Sequence, residues 1–159
     1  MLRLFLSSFL ALLFLTGSSL NAQTAGYYPQ GGPDNGVEDV SLIQLIANPQ
    51  TYDNKRIRII GFVRLEFEGD AVYLHQEDFE YGLSKNGLWI DVPQDMTKKQ
   101  MDAVNRRYAI CTGTFRAGGH GHMGLFSGEI AAITRLEPWM DKPRSQLPNG
   151  MPPPPAPKR

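Results

Sequence analysis

Three observations predict a mainly β protein, a five-stranded OB-fold barrel: five short apolar-patterned strands in about 100 residues, a helix between strands three and four, and a long first strand interrupted by Gly61. The rival architectures are another small barrel or a β-sandwich. In chain order, residues 41–48 form a short amphipathic helix with Leu42, Leu45 and Ile46 at helical spacing. Asp39 or Ser41 is its cap and Pro49 its end. After a turn at 52–55, the first strand covers 56–65, where Arg56 and Arg58 alternate with Ile57 and Ile59. Gly61 marks a bend or bulge in that strand, because one strand of a small barrel serves both halves of the sheet. The second strand is 71–75 and the third 88–92, joined by a polar connection over 76–87. A helix over 97–107 follows, capped by Asp95 or Thr97, with Met101 and Val104 inward. The fourth strand is 108–115, a glycine-rich loop covers 117–128, and the fifth strand is 129–136.

The barrel accounts for residues 37–140 of the 159. Ahead of it, Arg3, an apolar run at 4–15 and the small residues of 16–19 describe a secretory signal peptide, with cleavage expected after Ala22. Twelve apolar residues span roughly 18 Å as a helix, short of the ~30 Å hydrocarbon core, which argues against an uncleaved anchor. Residues 23–36, rich in Gly, Pro and Gln, read as an unstructured linker, and 141–159 as a disordered proline-rich tail. The expected location is therefore periplasmic or extracellular, with no transmembrane segment after cleavage.

The chain carries 16 basic and 16 acidic side chains, yet the charges are unevenly placed. Residues 37–140 hold 11 basic and 14 acidic groups, a net −3, whereas 142–159 hold four basic groups and no acid. A barrel of that sign lacks the electrostatic footprint of a nucleic-acid binder, so no nucleic acid is expected as partner. The basic tail could touch anionic envelope surfaces. One cysteine, Cys111, excludes an internal disulfide and a cysteine-only zinc site. Its strand position, between Ile110 and Thr112, reads as a small buried hydrophobe rather than a nucleophile.

Three groups of residues could carry chemistry. His120 and His122, one residue apart in the glycine-rich loop, are weak metal candidates, with His75 or a carboxylate to complete the shell. The same loop also forms one wall of the groove in which OB domains bind ligands. Glu66, Glu68 and Asp70 surround the first hairpin turn, and Glu66 and Glu68 share a face if strand geometry persists there. Paired carboxylates can hydrolyse glycosides or hold a divalent ion, but acids beside a turn are ordinarily a solvated rim. The same holds for Glu77, Asp78 and Glu80. Finally, if Val72, Leu74, Leu88 and Ile90 face the barrel, then Tyr73, His75 and Trp89 face outward on the two central strands. OB folds use that face for stacking; packing beneath neighbouring loops is the equally weighted structural alternative. No P-loop, GxSxG elbow or HExxH occurs.

The stretch VSLIQLIANPQTYDNKRIRIIGFVRLEFEGDAVYLH (40–75), then NGLWIDV, CTGTF and GHMGLFSGEIAAITRLEPW, resembles a widespread family of exported bacterial proteins of uncharacterised activity, over residues 38–139. More distantly the pattern is similar to tRNA-anticodon-binding-like OB domains. The resemblance implies the fold and no activity, and it transfers no catalytic residue and no cofactor.

The sequence thus predicts an exported, monomeric, non-enzymatic OB-fold binding module for an envelope protein or small ligand. Its candidate site joins Tyr73, His75 and Trp89 to His120, His122 and Phe126 of the loop. The alternatives are a metal-dependent envelope hydrolase using His120, His122, His75 and an acid, and a structural adaptor that docks a partner through Pro152–Pro155.

Overall fold

The structure, a computed structural model, describes Gly26 and residues 36–140. The expected signal peptide, the proline-rich tail and nearly all of the linker lie outside those residues.

A two-residue strand β1 (Glu38–Asp39) opens the fold and pairs in parallel with β2 (Arg56–Arg64). Beyond it, β2, β3 (Ala71–Tyr73), β4 (Gly87–Ile90), β5 (Arg107–Arg116) and β6 (Glu129–Pro138) form a closed barrel. Around the barrel the order is β2–β3–β4–β6–β5, with β5 returning to β2. All neighbours are antiparallel except β4 and β6, which pair in parallel through Trp89↔Glu129 and Ile90↔Ile130. This is the predicted OB-fold barrel, with its short N-terminal helix and its helix between the third and fourth barrel strands.

The alternation read from β2 is the one observed: Ile57, Ile59 and Val63 are buried, whereas Arg56, Ile60 and Arg64 lie on the outer side. Val72, Leu88, Ile90, Ala109, Cys111, Phe115, Ile130 and Leu136 complete the barrel interior. Gly61 is required by a close approach. A β-carbon there would lie 2.7 Å from the Tyr73 carbonyl oxygen and 2.5 Å from Val72 Cγ2, so only glycine lets β2 coil between β3 and β5. The register of β5 against β6 shifts between Thr112 and Thr114, and Ala132 takes a left-handed φ of 47° at that bulge.

Helix α1 (Leu42–Ala47) is capped by Ser41, whose hydroxyl accepts from the Gln44 amide while the Gln44 side chain accepts from the Ser41 amide. It buries Leu42 and Leu45. Pro49, expected only to end this helix, instead starts a second one, α2 (Pro49–Tyr52). Proline is tolerated at the first helical position because its missing N–H would have no partner there. Two further corrections concern α3 and α4. The segment after β3, expected as a plain connection, contains α3 (Gln76–Glu80) and a 3-10 turn at Ser84–Asn86. Helix α4 (Lys98–Val104), capped by Thr97, is shorter than the expected 97–107. Arg106 reverses the chain at a φ of 62° and its amide donates to the Val63 carbonyl, which commits Arg107 to β5. Val104 is fully buried and Met101 packs against the core, as the spacing predicted.

Candidate functional site

The outward face of β3 and β4 is where the sequence placed a binding surface, and here the structure separates position from exposure. Tyr73 does point away from the barrel core, but it is only 6% exposed. It belongs to a second apolar cluster with Phe62, Ala71 and Phe126, against which Phe79 and Trp89 pack. Phe79 comes from α3 and meets the Tyr73 ring edge-on at 5.8 Å. Phe126 comes from the 117–128 loop and meets Tyr73 at 6.1 Å and Trp89 at 5.7 Å. Arg64 stacks its guanidinium over Phe79 at 5.2 Å. The face is therefore closed by the chain's own aromatic rings, the outcome in which Tyr73 and Trp89 pack beneath loops.

The cover is held in place by polar contacts at its edges. The Asp53 carboxylate accepts from the Ala117 amide (2.8 Å) at the base of the loop. The Lys85 ammonium donates to the carbonyls of Gly124 (3.2 Å) and Phe126 (3.4 Å). The Ser127 hydroxyl donates to the Lys85 carbonyl (2.7 Å), and the Ser127 amide to that of Gly87 (3.1 Å). His120 Nδ1 lies 3.0 Å from the Phe126 carbonyl oxygen, folding the loop onto itself. His122 Nε2 lies 3.7 Å from Glu68 Oε2, so the loop also meets the turn after β2. Gly121, between the two histidines, rests on the Trp89 indole. The glycine of the His-Gly-His motif, rather than its imidazoles, is what the packing demands.

The three histidines do not converge as the metal alternative requires. His75 lies outside β3 and caps α3, with Nδ1 3.5 Å from Asp78 Oδ2, while His120 and His122 engage Phe126 and Glu68. Among the described residues, no group of three or more His, Cys, Asp or Glu side chains is placed to hold a metal ion.

The acids divide by environment. Strand geometry ends at Arg64 and Glu68 adopts a left-handed φ of 56°, so Glu66 and Glu68 are turn residues rather than a strand pair. Both are exposed; Glu66 bridges to Arg64 at 2.9 Å. Asp70 is half-buried and its carboxyl is held above the ordinary aspartate value, chiefly by burial and further by the neighbouring Glu66 charge. Asp78, expected on a solvated connection, is buried instead. It accepts from the His75 amide (2.8 Å) and the Asn86 side chain (2.8 Å), tying α3 to the 3-10 turn. Burial raises the Tyr73 hydroxyl above its usual value, with the Glu66 charge adding to the shift.

Cys111 is fully buried, as predicted, and burial pushes its thiol up to about 12. A thiol so placed stays protonated and unreactive at neutral pH. Ellman's reagent is expected to leave the native protein unmodified at pH 8 and to react once it is unfolded in guanidinium. Rapid labelling of the native state would show that the strand opens on the assay timescale.

Sequence reasoning missed the rim around this closed face. Phe67 at the tip of the turn after β2 is 92% exposed, Met123 is 80% exposed and Tyr81 78%. Leu83 and Leu125 are also exposed. The contacts above join the connections that carry these side chains: Glu68 touches His122, and Lys85 touches Gly124. Three joined connections thus present large apolar groups to solvent. The available signal was apolar residues at turn positions, where polar ones are ordinary.

No protein-family profile matches the chain, and neither curated proteins nor solved structures provide a match.

Proposed function

We propose that this chain is an exported, non-enzymatic OB-fold interaction module that grips a partner protein by the rim of its loop-covered face. One observation carries the reading: Phe67, Tyr81, Leu83, Met123 and Leu125 stand exposed on three connections, of which the 117–128 loop is pinned to the other two. Presenting such side chains to water is unfavourable by about 25 cal/mol per Å2, and exposed apolar groups gathered on joined connections mark a contact site. The fixed edges reduce the entropy lost on docking. The acids Glu66 and Glu68 beside the rim, and a barrel of net −3, favour a partner with basic residues around an apolar centre. Export is supported by the basic, apolar and small-residue order of residues 3–19.

The test replaces Phe67 and Met123 together with serine. Neither side chain is buried, so stability is expected to change by no more than about 0.5 kcal/mol. Crosslinking in native envelope extract is expected to recover a specific partner with the wild-type protein and to lose it with the double variant. Equal recovery by both proteins would refute the rim as the contact.

A further inference from the structure

Gly26 stands apart from the barrel in sequence and yet takes part in its packing. It belongs to the Gly-, Pro- and Gln-rich segment ahead of the barrel, and it is buried. Its carbonyl accepts from the Gln100 side chain, with Nε2 at 3.1 Å. The other end of the same amide caps α4: Gln100 Oε1 accepts from the Thr97 amide (2.9 Å) and from the Thr97 hydroxyl (2.7 Å). That hydroxyl oxygen in turn accepts from the Gln100 backbone amide (3.3 Å), so the helix start fixes the side chain that meets Gly26. The capping box thus acts as a clasp between residues 74 positions apart. Only a folded α4 makes it, because the box exists only where residues 97–100 have turned into the helix.

The expected cleavage point after Ala22 lies four positions before Gly26. Four extended steps reach at most about 14 Å, whatever path they take. A folded domain of about 100 residues has a radius of gyration of about 13 Å, so the tether is no longer than the barrel is thick. A membrane-bound signal peptidase takes the bond, with residues on both sides of it, into an active site at the membrane surface. The backbone at Gly26 is not free to enter that site while it is buried and bonded to Gln100. Cleavage of a folded precursor then proceeds through opening of the clasp, at a rate scaled by the open fraction.

We propose that the clasp between Gln100 and Gly26 sets the order of processing: hydrolysis of the Ala22–Gln23 amide precedes folding of α4. In that step water adds across the amide, leaving a carboxylate on Ala22 and an amino group on Gln23. A chain cut first is released and then closes the clasp. A chain that folds first keeps its apolar segment and stays attached to the membrane. The order rests on the export reading proposed above and is independent of the rim.

The experiment uses the full chain in detergent micelles with a purified signal peptidase, the product being identified by mass. Refolded precursor is expected to be cut at least about tenfold more slowly than the same chain released from urea in the presence of the peptidase. A Gly-Ser spacer of about ten residues inserted after Thr24 adds roughly 17 Å of reach and alters neither the bond nor Gly26. The refolded spacer variant is expected to be cut as fast as the urea-released chain. Gln100→Glu keeps the acceptor that caps α4 and puts an oxygen where Nε2 donates to Gly26. It is expected to speed cutting of the refolded precursor about fivefold, as the loss of one hydrogen bond allows. Equal rates for the refolded wild-type and spacer precursors would overturn the proposal. Resistance of the refolded spacer variant would place the protection elsewhere than at Gly26 and overturn it as well. A urea-released chain that is not cut after Ala22 would instead refute the export reading, and the proposed order with it.

Discussion

Tyr73→Ala is expected to destabilise the barrel by about 3–5 kcal/mol, the cost of truncating a buried aromatic side chain. The ring is enclosed on several sides. Phe79 and Phe126 meet it edge-on at 5.8 and 6.1 Å. Gly87, its partner across the β3–β4 ladder, leaves it room that a β-carbon would take, since that carbon would lie 2.9 Å from the ring. Removing the ring leaves a void between α3, the 117–128 loop and the sheet, and none of these can close it without breaking the contacts that pin the loop. For a domain of about 100 residues each kcal/mol lowers the midpoint by about 4–8 °C, so the loss is at least of order 10 °C. Tyr73→Phe separates the ring from its hydroxyl, keeping the ring's packing and removing one polar group. That variant is expected to lose only about 1 kcal/mol. Urea denaturation of both proteins checks the pair. The open stacking face expected from the sequence would give the reverse for Tyr73→Ala: loss of ligand capture at unchanged melting. A change below about 1 kcal/mol would restore that expectation and refute the closed face.

Gly121→Ala is expected to be the second largest effect, at about 2–4 kcal/mol, from backbone strain combined with overpacking. Gly121 sits at φ 59° and ψ −156°, a region essentially confined to glycine. A β-carbon there would also lie 2.5 Å from two carbons of the Trp89 indole. The indole is backed by Phe126 at 5.7 Å and cannot retreat, so the loop must lift. Trp89 then gains water contact, and its emission is expected to move to longer wavelength. Trp139 is already exposed in the parent protein, which leaves Trp89 as the source of the change. Unaltered emission and unaltered melting would mean that the loop does not rest on Trp89. His122→Ala is the informative companion, because its contact with Glu68 is between two exposed side chains and is worth well under 1 kcal/mol.

These two positions show how far the sequence could be read. The barrel was legible because each strand carries its own evidence: Ile57 and Ile59 alternate with Arg56 and Arg58, and burial follows that alternation residue by residue. Each helix cap was legible as one of two residues for the same local reason, and the fold uses Ser41 rather than Asp39 and Thr97 rather than Asp95. What covers Tyr73 was not, because Phe79 and Phe126 lie in short segments without periodicity, both further along the chain and far from each other in sequence. Asp78 was taken for a solvated acid, since its neighbours Glu77 and Glu80 are solvated, and its partners are set by the fold of α3 against the 3-10 turn. The His-Gly-His motif drew attention to side chains that carry chemistry in isolation. Packing assigned the decisive role to the residue without one.

By itself the sequence determined the five barrel strands and the helices α1 and α4, the inward face of each barrel strand, the fate of Cys111 and the uneven charge along the chain. Each depends on residues a few positions apart, where period and composition suffice. Only the tertiary structure decided which outward faces stay open. That outcome depends on loops whose register with the sheet is fixed by contacts such as Lys85 with Gly124 and Glu68 with His122, far apart in sequence. Burial of an outward side chain is a property of what folds over it, and a strand's own residues do not encode its cover.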